Sequence, residues 1–134
     1  EYLRLSQNSL TGDVLEELAN CAKLEHLDLS DQISHGGTGL TGNLPKLAGM
    51  EKISELYLNK NNIVGDIPPD FLPDVDTSLD VKIDLRNNKI TGQVPEDLAR
   101  VKGLSLYLSN NMITGIANDI CQLDFAGSYG CDGV

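Results

Sequence analysis

The stretch LYLSNNMITG (106–115) returns, loosely spelled, as LYLNKNNIVG (56–65), IDLRNNKITG (83–92) and LRLSQNSLTG (3–12). Four copies in 134 residues mark a repeated scaffold rather than one active-site loop. Alignment on the closing glycine gives Gly12, Gly42, Gly65, Gly92 and Gly115, each preceded two places earlier by Leu10, Leu40, Ile63, Ile90 or Ile113. The paired apolar residues Leu3/Leu5, Leu27/Leu29, Leu56/Leu58, Ile83/Leu85 and Leu106/Leu108 recur at steps of 24, 29, 27 and 23 residues.

Spacing of two within each pair puts both side chains on one face of a strand, turned to the core, and leaves the residues between them to solvent. Three places after the pair stand Asn8, Asn61, Asn88 and Asn111. A carboxamide there can donate to and accept from backbone groups at once, so a stack of them ties successive turns together. The second copy has Gln32 at this position, and Thr38 is an alternative reading of its register. Beyond each glycine, Val14, Leu44, Ile67 and Val94 point inward, and Pro45, Pro68 and Pro95 start a short helix or tight turn. Leu18, Leu47, Phe71 and Leu98 then close the outer side. The predicted fold is a solenoid of about five coils with a parallel β-sheet on the concave face and short helical or turn segments on the convex face. Its coils run near 1–23, 24–52, 53–79, 80–102 and 103–120, followed by a cap over 121–134. The positions three before the strand centres, Asp80 and Gly103, are weaker than Leu24 and Ile53, which predicts slack in the last two strands.

Composition narrows the function. With 10 basic against 20 acidic residues the chain carries about −10, which argues against a nucleic-acid partner, because that binding rests on neutralising phosphates with Lys and Arg. No run of 18 or more apolar residues occurs, so direct membrane insertion is not expected. Cys121 and Cys131 lie ten apart in a segment of different character, where a disulfide-closed cap in an oxidising compartment and a pair of free thiols are both open readings. Cys21, between two repeat cores, is expected to pack as a small hydrophobe.

Two segments exceed the minimal coil. ISHGGTG (33–39) is a glycine-rich insertion that either closes over a ligand or is a neutral loop. LPDVDTSLD (72–80) gathers Asp74, Asp76 and Asp80 but has no glycine for a calcium loop, so it reads as a solvated acidic loop and no metal site is assigned. His26 and His35 are the only histidines, and neither is accompanied by a nucleophile with an oriented base. The chain is therefore read as non-enzymatic, and no cofactor is called for.

The segments LRLSQNSLTGDV, LYLNKNNIVGDIP, IDLRNNKITGQVP and LYLSNNMITG resemble the plant-type, extracellular subfamily of leucine-rich repeats, with its pattern LxLxxNxLxGxIP. The likeness covers about residues 2–120. It implies kinship with receptor ectodomains and polygalacturonase-inhibitor-like proteins, a short second sheet at the xGxI step, and a peptide, protein or glycan bound on the sheet face. Similar repeats occur in algal and protist surface proteins, which the ending DFAGSYGCDG also resembles. The family's paired-cysteine cap before the first coil has no counterpart here, so the first coil is expected to be covered by further repeats or a partner.

The register also names the concave surface. One transverse row is Tyr2, His26, Glu55, Lys82 and Ser105; the next is Arg4, Asp28, Tyr57, Asp84 and Tyr107. Tyr57, Asp84 and Tyr107, flanked by Lys82 and Arg86, form the leading binding strip, with His26 and Asp28 beside it, since aromatic rings with polar tips next to charges are common interface anchors. The alternative is a structural subunit docked in a larger assembly through its terminal coil or convex side.

Overall fold

In a computed structural model of the chain, residues 1–14, 16–101 and 103–116 are described. Eleven short strands follow one another: β1 (Tyr2–Arg4), β2 (Gly12–Asp13), β3 (His26–Asp28), β4 (Leu40–Thr41), β5 (Glu55–Tyr57), β6 (Val64–Asp66), β7 (Asp80–Asp84), β8 (Lys89–Thr91), β9 (Gln93–Val94), β10 (Gly103–Tyr107) and β11 (Gly115–Ile116). One strand from each coil joins a five-stranded parallel sheet in the order β1-β3-β5-β7-β10. The remaining strands pair as β2-β4, β6-β8 and β9-β11, a second and interrupted sheet at the glycine step.

The register aligns Leu27 with Leu3 and Leu56, and Ile83 with Leu56 and Leu106, so identical positions of each repeat stack directly on one another. Leu27, Leu56 and Ile83 are fully buried, and the inward residues after the glycines, Leu44, Ile67 and Val94, join the same core. Phe71, the largest fully buried side chain, fills the outer side of the third coil. Replacing it with alanine removes a complete aromatic ring from a site with no solvent access, a change of the kind that costs about 3–5 kcal/mol.

The turn after each strand has a fixed construction. Gln7, Asp31, Lys60, Asn87 and Asn110 all adopt a left-handed backbone, with φ between 55° and 59°. The next residue in each coil is the carboxamide that ties the turn. Asn61 donates through Nδ2 to the carbonyls of Leu29 (3.1 Å) and Leu58 (3.0 Å), while its Oδ1 accepts the N–H of Leu40 (2.9 Å). Asn88 and Asn111 repeat the pattern one and two coils on. In the second coil Gln32, not Thr38, holds the place: its Nε2 donates to Leu5 O (2.7 Å) and Ser30 O (3.0 Å), and its Oε1 accepts from Leu10 N (3.1 Å). A left-handed residue other than glycine is strained by roughly 1–2 kcal/mol, part of which glycine returns through its own entropy. Gln7→Gly, at an exposed position, is therefore expected to stabilise the fold by about 0.5 kcal/mol, read as a raised urea midpoint at constant slope.

Three sequence expectations change, and the prolines do as expected. Cys21 is exposed, because Leu18 and Leu24 occupy the inward directions on either side of it. Pro95 precedes a helical turn, the 3-10 segment Glu96–Arg100, while Pro68 leads into a turn at 69–70 and Pro45 into one at 48–49. The last two concave strands are not slack: β7 and β10 are the longest, at five residues each. Val81 and Leu104, one place further along, are buried in the role foreseen for Asp80 and Gly103. Gly103 also leaves room for the Asp80 side chain, with which a Cβ there would collide. The insertion 33–39 is folded against its neighbours rather than loose: Ser34 Oγ donates to Asp31 and the Thr38 carbonyl accepts from Asn62 Nδ2 (2.6 Å). Cys121 and Cys131 lie outside the described residues.

Candidate functional site

The concave sheet brings the two transverse rows together in the expected register, Tyr2↔His26↔Glu55↔Lys82↔Ser105 and Arg4↔Asp28↔Tyr57↔Asp84↔Tyr107. Their side chains interleave into a single band. The Tyr2 and His26 rings lie 5.8 Å apart, and His26 and Tyr57 5.5 Å. The Lys82 ammonium then sits 5.2 Å from the Tyr57 ring and 5.6 Å from the Tyr107 ring. Arg86 covers Tyr107 at 5.2 Å, and Arg4 lies 5.6 Å from Tyr2 at the other end. Ring–ring contacts on the first three strands thus run into cation–ring contacts on the last three, the cations each within the range where the ring quadrupole attracts them. A hydrogen bond with Tyr57 raises the Lys82 pKa above the usual lysine range, opposed by partial desolvation.

The carboxylates of this face are largely engaged. Asp84 is only 2% exposed, and Arg86 grips both its oxygens, Nε to Oδ1 at 2.9 Å and Nη2 to Oδ2 at 2.6 Å. What Asp84 presents to a partner is therefore a fixed guanidinium rather than its own charge. Asp28 accepts from the Ser30 hydroxyl (2.6 Å) and N–H (3.0 Å). Asp31 accepts from Ser34 and lies 3.7 Å from the Lys60 ammonium. Glu55 meets His26 Nδ1. Within the band, Arg4, Lys60, Lys82 and Arg86 match Asp28, Asp31, Glu55 and Asp84 in number, so most of the net charge of −10 is carried elsewhere.

Tyr57, Lys82, Asp84, Arg86, Tyr107, His26 and Asp28 are all in or against the band. Tyr2, Arg4 and Glu55 complete it and were not singled out as binding residues from the sequence. The signal that finds them is spatial: His26 is buried at 7% exposure and makes contacts on both sides, to Arg4 and to Glu55. Among the described residues no group of three or more His, Cys, Asp or Glu side chains is placed to hold a metal, and no helix is long and apolar enough to cross a membrane.

The stacked units define a parallel-sheet solenoid. The leucine-rich repeat model matches residues 1–21, 52–73 and 81–101. Receptor like protein 27 of Arabidopsis thaliana is 33% identical, over 87% of this chain and 17% of that protein. The structure of the plant peptide hormone receptor RGFR1 in complex with RGF2 superposes with a TM-score of 0.77 at 32% identity, over 92% of this chain and 19% of that one. The PEPR1–AtPEP1 crystal structure gives 0.76 at 31% identity, over 90% and 16%. The chain belongs to the leucine-rich repeat family, with plant receptor-like proteins and receptors among its relatives. It spans less than a fifth of the length of each of these three.

Proposed function

We propose that this chain is a non-enzymatic recognition module that binds a protein or peptide across its concave sheet. The observation that carries the reading is the continuous run of ring–ring and cation–ring contacts from Arg4 to Arg86, built on strands whose inward residues pack against the core. Such a band offers large, rigid contact area with polar tips, the chemistry of interface anchors. Two similar structures, a peptide hormone receptor with RGF2 and PEPR1 with AtPEP1, favour a peptide over a glycan. We place the module outside the cell, at the cell surface or in another oxidising compartment, in keeping with its receptor-like relatives.

The test begins with peptides selected from a random display library on the immobilised wild-type protein. Tyr57→Ala with Tyr107→Ala is expected to weaken the selected peptides by roughly 30-fold, the scale of losing anchor residues. Unchanged affinity in a variant that keeps the wild-type unfolding midpoint sinks the concave-face reading.

A second reading, docking through the terminal coil, is favoured by one feature. Asn8 bonds only within its own coil, to the Leu5 (2.9 Å) and Ser6 (3.2 Å) carbonyls, where its counterparts also reach across to a neighbouring coil. Gly12 is likewise open, while a Cβ on Gly42, Gly65 or Gly92 would collide with Asp13, Asn43 or Asp66 of the adjacent coil. With Leu5 at 40% exposure, the first coil presents the same surface that inner coils bury, a surface suited to further repeats or a partner. If this reading holds, Leu5→Glu disrupts the assembly and the tyrosine substitutions leave it intact.

A further inference from the structure

His26 is the one buried histidine of the concave band, and its two ring nitrogens have opposite neighbours. Nε2 accepts the Arg4 Nε–H at 3.2 Å, and Nδ1 lies against the Glu55 carboxylate. A nitrogen that accepts a hydrogen bond from a guanidinium carries no proton of its own, so this geometry suits the tautomer whose single N–H, on Nδ1, donates to Glu55. The groups facing it are Arg4 and Tyr2 on β1, Glu55 and Tyr57 on β5, and Asp28 two places along its own strand; Lys82 stands beyond Tyr57. The imidazole thus joins a cation on one side to an anion on the other and can serve both only while uncharged.

We propose that His26 is a proton-operated latch that holds Arg4 in the neutral state and frees it on protonation, regulating the concave face. A proton added to Nε2 sets two N–H donors against each other and two positive charges on adjacent groups, while the bond to Glu55 becomes a charged pair. The Arg4 guanidinium then loses its acceptor and turns outward from Tyr2, on an exposed side chain with room to move. The band gains a positive charge on the ring and an unengaged guanidinium, so a face whose charges cancel becomes cationic. Imidazoles change charge between about pH 5 and 8, so mild acidification is the stimulus. A carboxylate or carbonyl of the bound chain is the group that the released Arg4 would take. The latch itself is a property of the fold; its effect on binding rests on the concave-face reading above.

The first arm needs no substitution, since the chain has two histidines and the other, His35, is exposed in the 33–39 loop. Imidazole and guanidinium 15N–1H spectra of the labelled protein are followed from pH 8 to 5. At pH 8, His26 is expected as the Nδ1–H tautomer and Arg4 Nε–H as a slowly exchanging signal. That signal is expected to collapse with the same midpoint as the His26 titration. An Arg4 signal indifferent to His26 protonation, or a proton on Nε2 at pH 8, overturns the latch. In a second arm, a display-selected peptide should bind severalfold tighter at pH 5.5 than at pH 7.5, and the difference should vanish in His26→Gln, whose amide oxygen can accept from Arg4 but cannot charge. Equal affinity at both pH values while the Arg4 signal switches overturns the regulatory role and leaves the concave-face reading standing.

Discussion

Asn88→Ala is expected to lower folding stability by roughly 2–3 kcal/mol, the sum of one buried N–H left without a partner, at about 1–3 kcal/mol, and two further hydrogen bonds lost. One carboxamide serves three backbone groups: Nδ2 donates to Leu58 O and Leu85 O, both at 3.0 Å, and Oδ1 accepts from Ile63 N at 3.1 Å. A methyl group answers none of them: Leu58 O and Leu85 O keep the Asn61 and Asn111 amides, but the Ile63 N–H is left unpaired at a buried site where water does not take over. Since two of these partners belong to the preceding coil, the loss falls on the joint between coils. Asn8→Ala supplies the control, because its bonds are local and exposed; it should cost no more than about 0.5 kcal/mol. Urea unfolding of both variants gives the comparison. Equal midpoints would show that the carboxamides decorate the turns without joining them.

Arg86→Ala should cost roughly 3 kcal/mol, because it leaves the buried Asp84 carboxylate without its fork of N–H donors. The revealing variant is the double one. Asp84→Asn in the same chain removes the stranded charge, and most of the loss should return. Arg86→Ala alone also strips the cation from Tyr107, so its effect on peptide capture and its effect on stability are separable: the double variant recovers the fold and not the binding. If the double variant is no more stable than the single one, the carboxylate is not the source of the cost.

Much of this fold is legible from residue spacing, because each coil repeats a pattern that only one register buries. Leu27, Leu56 and Ile83 are in the core, and the two outward rows follow by alternation, since a one-residue slip would turn every apolar side chain to solvent. The concave tyrosines, Lys82 and Arg86 are readable for the same reason. What spacing does not tell is how far a long side chain reaches. Gln32 has one more methylene than asparagine and still meets Leu5 O and Leu10 N from a coil of different length, which no letter pattern distinguishes from Thr38. Asp84 counts as solvent-facing by alternation, yet Arg86 folds down over it. The Arg4–His26–Glu55 chain joins residues 22 and 29 positions apart, so it exists only once the strands are side by side. The ends of β7 and β10 are misread because the inward residue there stands two places before the strand centre, at Val81 and Leu104, instead of three, as at Leu24 and Ile53.

The carboxamide ladder has one more consequence, a metric one. Each rung fixes the separation of adjacent coils, so the side chains of the concave band stand at near-constant intervals of about 4.8 Å, some 19 Å from first strand to fifth. An extended peptide advances roughly 3.3 Å per residue, so about six residues lie along that distance. The two periods coincide only every second or third position, so a partner laid along the axis is gauged by length before it is tested by chemistry.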